Sequence, residues 1–243
     1  MQLINLNIWG GHVRKPLLDF IECYKDVNIF CLQEVYCKAS SKISTDNLNV
    51  SLDIYSEIQE ILQTHHGIFR PTVNGIYGIA MFVKKSIKIL EEGEIIIHHN
   101  SSYSGTGPTH SRNLQWILCC HNDKLFYIIN MHGLWNGKGK TDTQERLDQS
   151  QKISDFLQTI YHPTVLCGDF NLRPDTKSIQ MLEKSLNNLV KQYKIDSTRT
   201  NLYSKIEKFA DYIFTSSDIV VENFEVLNYD VSDHAPLLLN FTL

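Results

Sequence analysis

Hydrophobic and polar positions recur along this chain with two alternating periods, which predicts strands and helices taking turns from one end to the other. Residues 2–8 alternate apolar and polar, the pattern of a half-buried strand. Pro16 opens the helix-period stretch Leu17–Tyr24, with proline in the first turn. Val27–Leu32 is a short apolar run ending at Gln33-Glu34, read as a central strand that delivers a polar pair at its C-terminal end. Residues 52–64 predict a second helix with Leu52, Tyr55, Ile58 and Leu62 on one face. Ile76–Val83, Ser86–Ile97, Leu114–Cys120 and Leu125–Met131 predict strands, the last two joined by a turn at Asn122-Asp123. A polar, glycine-bearing loop over 133–143 leads into a helix over Gln144–Ile160, with Leu147, Ile153, Phe156, Leu157 and Ile160 inward. Thr164–Cys167 is another short strand, followed by a helix near 176–185 and strands near 210–215, 219–227 and 237–242. No linker or repeat divides the pattern, so the expectation is one α/β (α+β) domain over residues 1–243, two sheets packed face to face with helices on both outer faces.

Composition narrows the function. The 243 residues are 42% hydrophobic and 21% charged, an ordinary globular balance far from that of disordered chains. A count of 23 Lys+Arg against 27 Asp+Glu gives a formal charge of −4, which disfavours non-specific coating of nucleic acid and leaves room only for a local basic patch. Six cysteines lie at no metal-finger spacing, several inside apolar runs, and read as reduced thiols. The first residues carry no basic region and already alternate as a strand, and no apolar run approaches the roughly 18–20 residues of a membrane span. A cytoplasmic, monomeric enzyme with no membrane span is the expectation.

The candidate chemistry sits at strand ends. Asn7 follows the first strand, Glu34 follows Phe30-Cys31-Leu32, Asp169 and Asn171 follow Val165-Leu166-Cys167, and Asp233-His234 precede the last strand. Any one of these residues also suits a turn or a helix cap. Together they are oxygen ligands of the kind a hard divalent cation takes: Glu34, Asp169 and Asp233, with Asn7 and Asn171 as neutral partners. Mg²⁺ binds one or two protein carboxylates and leaves its other positions to water and phosphate, so phosphoryl chemistry is the natural expectation.

Six blocks now occur in order: Leu6-Asn7-Ile8-Trp9, Leu32-Gln33-Glu34-Val35, Asn130-Met131-His132, Gly168-Asp169-Phe170-Asn171, Ala210-Asp211-Tyr212-Ile213 and Ser232-Asp233-His234-Ala235-Pro236. The series resembles the signature of the endonuclease/exonuclease/phosphatase superfamily, to which deoxyribonuclease I and the exonuclease III-type enzymes belong, and it spans nearly the whole chain. The resemblance implies a four-layer sandwich of two mixed sheets with the site where they meet. It implies Mg²⁺, with Mn²⁺ as a substitute, held by Glu34, Asp233 and Asn7. By the same resemblance Asp169 positions or deprotonates the attacking water, while Asn171 holds that water and the phosphate. His234 meets the developing charge, Asp211 fixes its tautomer, and His132 contacts phosphate or assists the leaving oxygen. One departure limits the likeness to the deoxyribonuclease branch: between Gly67 and Leu90 there is no Asp or Glu to partner His132, only Tyr77.

Substrate recognition is expected in loops. Gly133–Arg146 carries Trp135, Lys138 and Lys140, either a phosphate-contacting loop with a ring to stack on or a solvated loop entering a helix capped by Thr143. Arg146 either faces the site or lies on that helix. Arg112 and Arg173 are further phosphate candidates, each with a plain turn as its alternative, and Ser197–Asn201 is a polar loop bordering the cleft. His65-His66 and His98-His99 read as surface or turn residues. The expected partner is a phosphate-ester substrate, a nucleic acid or nucleotide-like phosphate in the first reading. Phosphatase or phosphodiesterase action on inositol phosphates or phospholipid headgroups is the alternative, with a weakly active phosphate-binding module as the non-enzymatic one.

Overall fold

The structure is a computed structural model and describes residues 1–43, 50–105 and 107–243. The chain runs β1 (Gln2–Asn7), α1 (Arg14–Cys23), β2 (Ile29–Tyr36), α2 (Ile54–Ile61), β3 (His65–Val73), β4 (Tyr77–Lys84), β5 (Lys88–His98), β6 (Arg112–His121) and β7 (Lys124–His132). It continues with α3 (Gln144–Leu157), β8 (Thr164–Asp169), α4 (Lys177–Leu182), β9 (Asn187–Asn188), α5 (Leu189–Gln192), β10 (Asp211–Thr215), β11 (Val220–Val226) and β12 (Leu237–Thr242). The first six-stranded sheet has the order β11-β12-β1-β2-β4-β3 and the second β5-β6-β7-β8-β10-β9. Only β1–β2 and β7–β8 pair in parallel, and each of these pairs is joined through a helix, α1 and α3 respectively. The two sheets thus share one plan, parallel pair in the middle and antiparallel neighbours outside, although no repeat is visible in the sequence.

The apolar runs explain the layering. In β2, Phe30 and Leu32 pack with Leu17, Phe20, Ile54 and Ile58 of the covering helices, while Ile29 and Cys31 join Ile129, Val165 and Ile213 of the opposite sheet. A strand buried on both faces has no reason to alternate, which is why this stretch is continuously apolar. In β1 the alternation is genuine but is not half-burial. Residues 3–7 are all buried, and the polar Asn5 and Asn7 face the other sheet instead of water. Gln33 Nε2 donates to Asn5 Oδ1 (2.9 Å) and to Asn130 Oδ1 (2.7 Å), while Asn130 Nδ2 reaches the carbonyls of Leu32 and Ala80 at 3.2 and 3.1 Å. These hydrogen bonds tie β7 to β1, β2 and β4 just beneath the strand ends, while Asn5 Nδ2 and Gln33 Oε1 stay without partners.

Two differences from the sequence reading concern the first half. α1 begins at Arg14, so Pro16 is the third residue of the helix, still within the turn where a backbone N–H needs no helical partner. His65 is no surface residue: it lies in β3, 1% exposed, with Nε2 2.7 Å from the carbonyl of Val27. Of the six cysteines, all free thiols, Cys31, Cys119 and Cys167 are buried in the core. No helix among the described residues is long and apolar enough to cross a membrane.

Candidate active site

Strand register assembles the site. His132, the last residue of β7, lies beside Asp169 at the end of β8, and Asp169 lies beside Asp211 at the start of β10. One row across the second sheet therefore reads His132, Asp169, Asp211. From the first sheet Asn7 closes β1 opposite Gln33, and Glu34 follows at an irregularity in the β2–β4 pairing. Glu34 has φ 59° and Asn171 φ 54°, two non-glycine residues in the left-handed region on the rim of one cleft. Strained backbone of this kind persists where the surrounding fold over-determines it, and it aims both side chains at the space between the sheets.

Asp169 is the centre of the constellation and 1% exposed. Its Oδ2 accepts from Asn7 Nδ2 at 3.0 Å and lies 3.6 Å from His132 Nε2 and 3.7 Å from His234 Nε2; its Oδ1 accepts the backbone N–H of Asn171 at 2.8 Å. Burial alone would raise the Asp169 pKa, but the positive charges of His234, Lys140 and Arg199 outweigh it and hold the carboxyl well below its usual range. Asn7 Nδ2 also reaches Glu34 Oε1 at 3.0 Å, so one amide bridges both carboxylates. Burial pushes the Glu34 carboxyl up, against the lowering effect of that hydrogen bond.

His234 is oriented from behind. Its Nδ1 lies 2.8 and 2.9 Å from the two oxygens of Asp211, and Thr198 Oγ1 donates to Asp211 Oδ2 at 3.3 Å. Burial would lower the His234 pKa, yet the Asp211 carboxylate reverses that and keeps it raised, favouring the imidazolium with Nε2 turned to Asp169. His132 goes the other way: burial, reinforced by the Arg112 charge, holds it well below its ordinary value as a neutral imidazole. Among the described residues no carboxylate replaces the one missing from the Gly67–Leu90 segment at hydrogen-bonding distance: His132 Nε2 is 3.6 Å from Asp169 Oδ2 and 3.9 Å from Glu34 Oε1.

The structure sorts the remaining expected residues. Glu34, Arg112, His132, Trp135, Lys140, Asp169, Asn171, Asp233 and His234 line one cleft of about 620 Å³. Asn7 does not; it is fully buried behind the carboxylates, where its Nδ2 bridges Glu34 and Asp169 and its oxygen accepts the N–H of Trp9 at 3.0 Å. Asp233 lines the cleft, but its Oδ2 takes Arg199 Nη1 at 3.3 Å, and it belongs to neither of the two clusters whose ligand atoms fall within 4.8 Å of one another. Those clusters, among the described residues, are Glu34–His132–Asp169 and Asp169–Asp211–His234. Asp211 is spent on His234, which leaves the first as the donor set for a cation. Two carboxylate oxygens and an imidazole nitrogen, with the carboxylates crowded round a single amide, fit a divalent ion.

Two expected phosphate contacts fall outside. Lys138 is exposed and off the cleft, whereas Lys140, two residues on, is 2% exposed and inside it. Arg173 forms a forked ion pair with Asp175 at the surface. The 133–143 loop is not loosely solvated: buried Arg146 donates to the carbonyls of Leu134 (3.2 Å) and Thr141 (2.6 Å), and Asp142 accepts the N–H groups of Lys177 (2.8 Å) and Ser178 (3.0 Å). Thr143 sits at the N-cap of α3 without capping it, since its hydroxyl takes the Asn136 amide at 3.2 Å. The sequence reading passed over a wall of rings. Tyr36, Tyr77, Tyr103 and His110 line the same cleft, with Tyr36–Tyr77 centroids 4.9 Å apart and His110 6.5 Å from His132. It also missed the role of Arg199, which lies 4.0 Å from the Tyr203 ring and holds Asp233. A string of tyrosines scattered over β2, β4 and a loop has no local periodicity that would reveal one wall.

The comparisons with known proteins agree with this geometry. The sequence profile of the Endonuclease/Exonuclease/phosphatase family matches residues 4–234. No curated protein matches the chain. Among solved structures, the endonuclease/exonuclease/phosphatase from Bacteroides vulgatus is 17% identical with a TM-score of 0.76, covering 100% of this chain and 98% of its own. The Bacteroides thetaiotaomicron mannosyl-6-phosphatase is 17% identical with a TM-score of 0.75, covering 100% of both chains. The human Nocturnin catalytic domain with bound sulfate is 19% identical with a TM-score of 0.73, covering 100% of this chain and 94% of its own. With the profile spanning nearly every residue and the two sheets meeting at the matched blocks, the chain belongs to the endonuclease/exonuclease/phosphatase family of phosphate-ester hydrolases.

Proposed function

We propose that this protein is a divalent-metal-dependent phosphoesterase that hydrolyses a nucleotide-like phosphate ester by in-line attack of water. The observation that carries the reading is Asp169, a carboxylate held ionised in the cleft, with the Asn7 amide donating to its Oδ2 at 3.0 Å and the charged His234 3.7 Å from the same oxygen. An ionised, oriented carboxylate at the reacting centre is what activation of a water requires, and hydrogen-bond donors set around it suit a transferring phosphoryl group.

Glu34 would hold the ion, with Asp169 and His132 beside it; Mg²⁺, or Mn²⁺ in its place, would neutralise charge on the phosphate oxygens. The chain does the rest. Asn7 keeps the two carboxylates at fixed separation. Asp169 takes the proton of the attacking water. His234, charged and fixed by Asp211, donates from Nε2 to the oxygen on which charge builds. Neutral His132, whose Nε2 belongs to the donor set for the ion, would offer it a lone pair. Asn171, its backbone pinned to Asp169 and its amide donating to the carbonyl of Gly133 at 3.2 Å, fixes the floor of the site.

A nucleotide-like substrate suits the ring wall of Tyr36, Tyr77 and Tyr103 and the Trp135 indole, whose face lies 5.7 Å from Lys205 Nζ. The mannosyl-6-phosphatase relative favours a second reading, a sugar phosphate on the same rings. The test is a panel of single- and double-stranded DNA, RNA, an abasic duplex, a 5′-tyrosyl oligonucleotide, nucleotides, sugar and inositol phosphates and sphingomyelin, each with Mg²⁺, with Mn²⁺ and with EDTA. Turnover of one class that EDTA abolishes supports the reading. Equal ligand binding in EDTA with no turnover of any member would make this a phosphate-binding module and sink it.

A further inference from the structure

The charges lining the cleft do not balance pairwise. Asp211 faces His234 across 2.8 Å, and Asp233 faces Arg199 across 3.3 Å. Glu34 and Asp169 share the Asn7 amide and are the pair that a divalent ion would neutralise. Of the remaining cations on the cleft wall, Lys42 and Lys205 are exposed, while two are buried. Arg112 and Lys140 are each 2% exposed and line the cleft, yet among the described residues neither forms an ion pair with a carboxylate. Arg112 gives Nη2 to the carbonyl of Pro108 at 2.8 Å and leaves Nε and Nη1 with no partner; Lys140 leaves Nζ with none. Burying an unpaired charge costs several kcal/mol, so a fold that keeps two of them beside the reacting centre keeps them for a ligand. A phosphodiester offers one negative charge on two free oxygens. A terminal phosphate, whose second pKa lies near about 6, offers close to two charges on three oxygens.

Resting on the hydrolase reading above, we propose that Arg112 and Lys140 form a clamp for a phosphate dianion and make this chain a phosphomonoesterase, acting on a terminal phosphate and not on a diester backbone. The reaction is then R–O–PO₃²⁻ + H₂O → R–OH + HOPO₃²⁻. The water oxygen bonds to phosphorus as the bridging P–O bond breaks, one water proton leaves with the alcohol and the other stays on orthophosphate. The clamp comes from two separate elements, the first residue of β6 and the loop after β7, so it closes on the phosphate from more than one side. A diester would put an esterified, uncharged oxygen against one of the two cations and leave that charge buried without a partner.

The experiment uses a matched pair of substrates, p-nitrophenyl phosphate and methyl p-nitrophenyl phosphate, which differ by one methyl group on one phosphate oxygen. Wild-type protein should show kcat/KM about 100-fold or more higher for the monoester, the scale expected when a buried charge loses its partner. Lys140→Met and Arg112→Met should each shrink that ratio about tenfold or more, and Lys140→Arg should restore part of it. Calorimetry with inorganic phosphate gives a readout that needs no turnover: phosphate binds the wild type and binds Lys140→Met about tenfold or more weakly. Equal rates on the two esters, or preference for the diester, would overturn the clamp while leaving phosphoester hydrolysis intact. No turnover of either ester with Mg²⁺ or Mn²⁺ would remove the hydrolase reading instead, and phosphate binding that ignores Lys140→Met would remove the clamp by itself.

Discussion

Each residue of the site is defined by what stands behind it. Asp169 has every oxygen committed, so Asp169→Asn removes the base while keeping most of the hydrogen bonds; kcat should fall by about 10³-fold or more with the fold unchanged by circular dichroism. Asp211 makes its side-chain contact with the cleft through His234. Its carboxylate holds the His234 pKa up, so the protonated, active form is present below that raised value and lost as pH climbs through it. Asp211→Asn should therefore move the alkaline limb of kcat/KM to lower pH; an unmoved limb would show that His234 does not titrate in the reaction. Lys140 carries the opposite shift, its pKa lowered to about 8 by burial. An ammonium whose pKa is depressed by folding destabilises the protein below that value, so Lys140→Met should raise stability at pH 7 by about 1–3 kcal/mol while impairing catalysis. Lys138→Ala, by contrast, should leave both KM and stability nearly unchanged. The sequence offered Lys138 and Lys140 as equals. What separates them is the loop path pinned by Arg146 and Asp142, a tertiary fact with no local signature. Glu34, Asp169 and His234 were legible because each ends or precedes an apolar run. The bracing function of Asn7 was not, since an amide after a strand says nothing about which of its atoms is already engaged.

At the scale of elements, the site depends on how closely β7 and β8 end together. Gly133 follows His132 and donates its N–H to the carbonyl of Asp169, and a Cβ there would lie 2.4 Å from the carbonyl oxygen of Phe170. Gly133→Ala should force the two strand ends apart, costing about 1–3 kcal/mol in a denaturant melt and a further loss in kcat. Wild-type stability with wild-type rate would show the row His132–Asp169 to be more tolerant than its geometry implies. Most strands were visible in the sequence because their period or their unbroken apolar run is intrinsic to burial. β3 was not recognised as a strand. His65-His66-Gly67 and Pro71 break any alternation, and its place at the sheet edge tolerates a proline that a central strand would reject. The two-residue β9 is too short to carry a pattern at all.

For the whole molecule, a net charge of −4 conceals a cleft that gathers Arg112, Lys140, Arg199 and Lys205. The average charge argues against coating of nucleic acid, as read from the sequence, but it cannot report where cations gather, two of them, Arg112 and Lys140, being buried. The shared plan of the two sheets puts the C-terminal ends of both parallel pairs, β1–β2 and β7–β8, at one place, and all the matched blocks lie there. The central claim is that water activated at Asp169 attacks phosphorus. Hydrolysis of the preferred ester in ¹⁸O-labelled water, with Mg²⁺ present and the products resolved by mass spectrometry, tests it most directly. The account predicts one labelled oxygen in the released phosphate, none in the alcohol, and labelled phosphate from Asp169→Asn about 10³-fold or more slowly. Label in the alcohol, or labelled phosphate produced at the wild-type rate by Asp169→Asn, would contradict it.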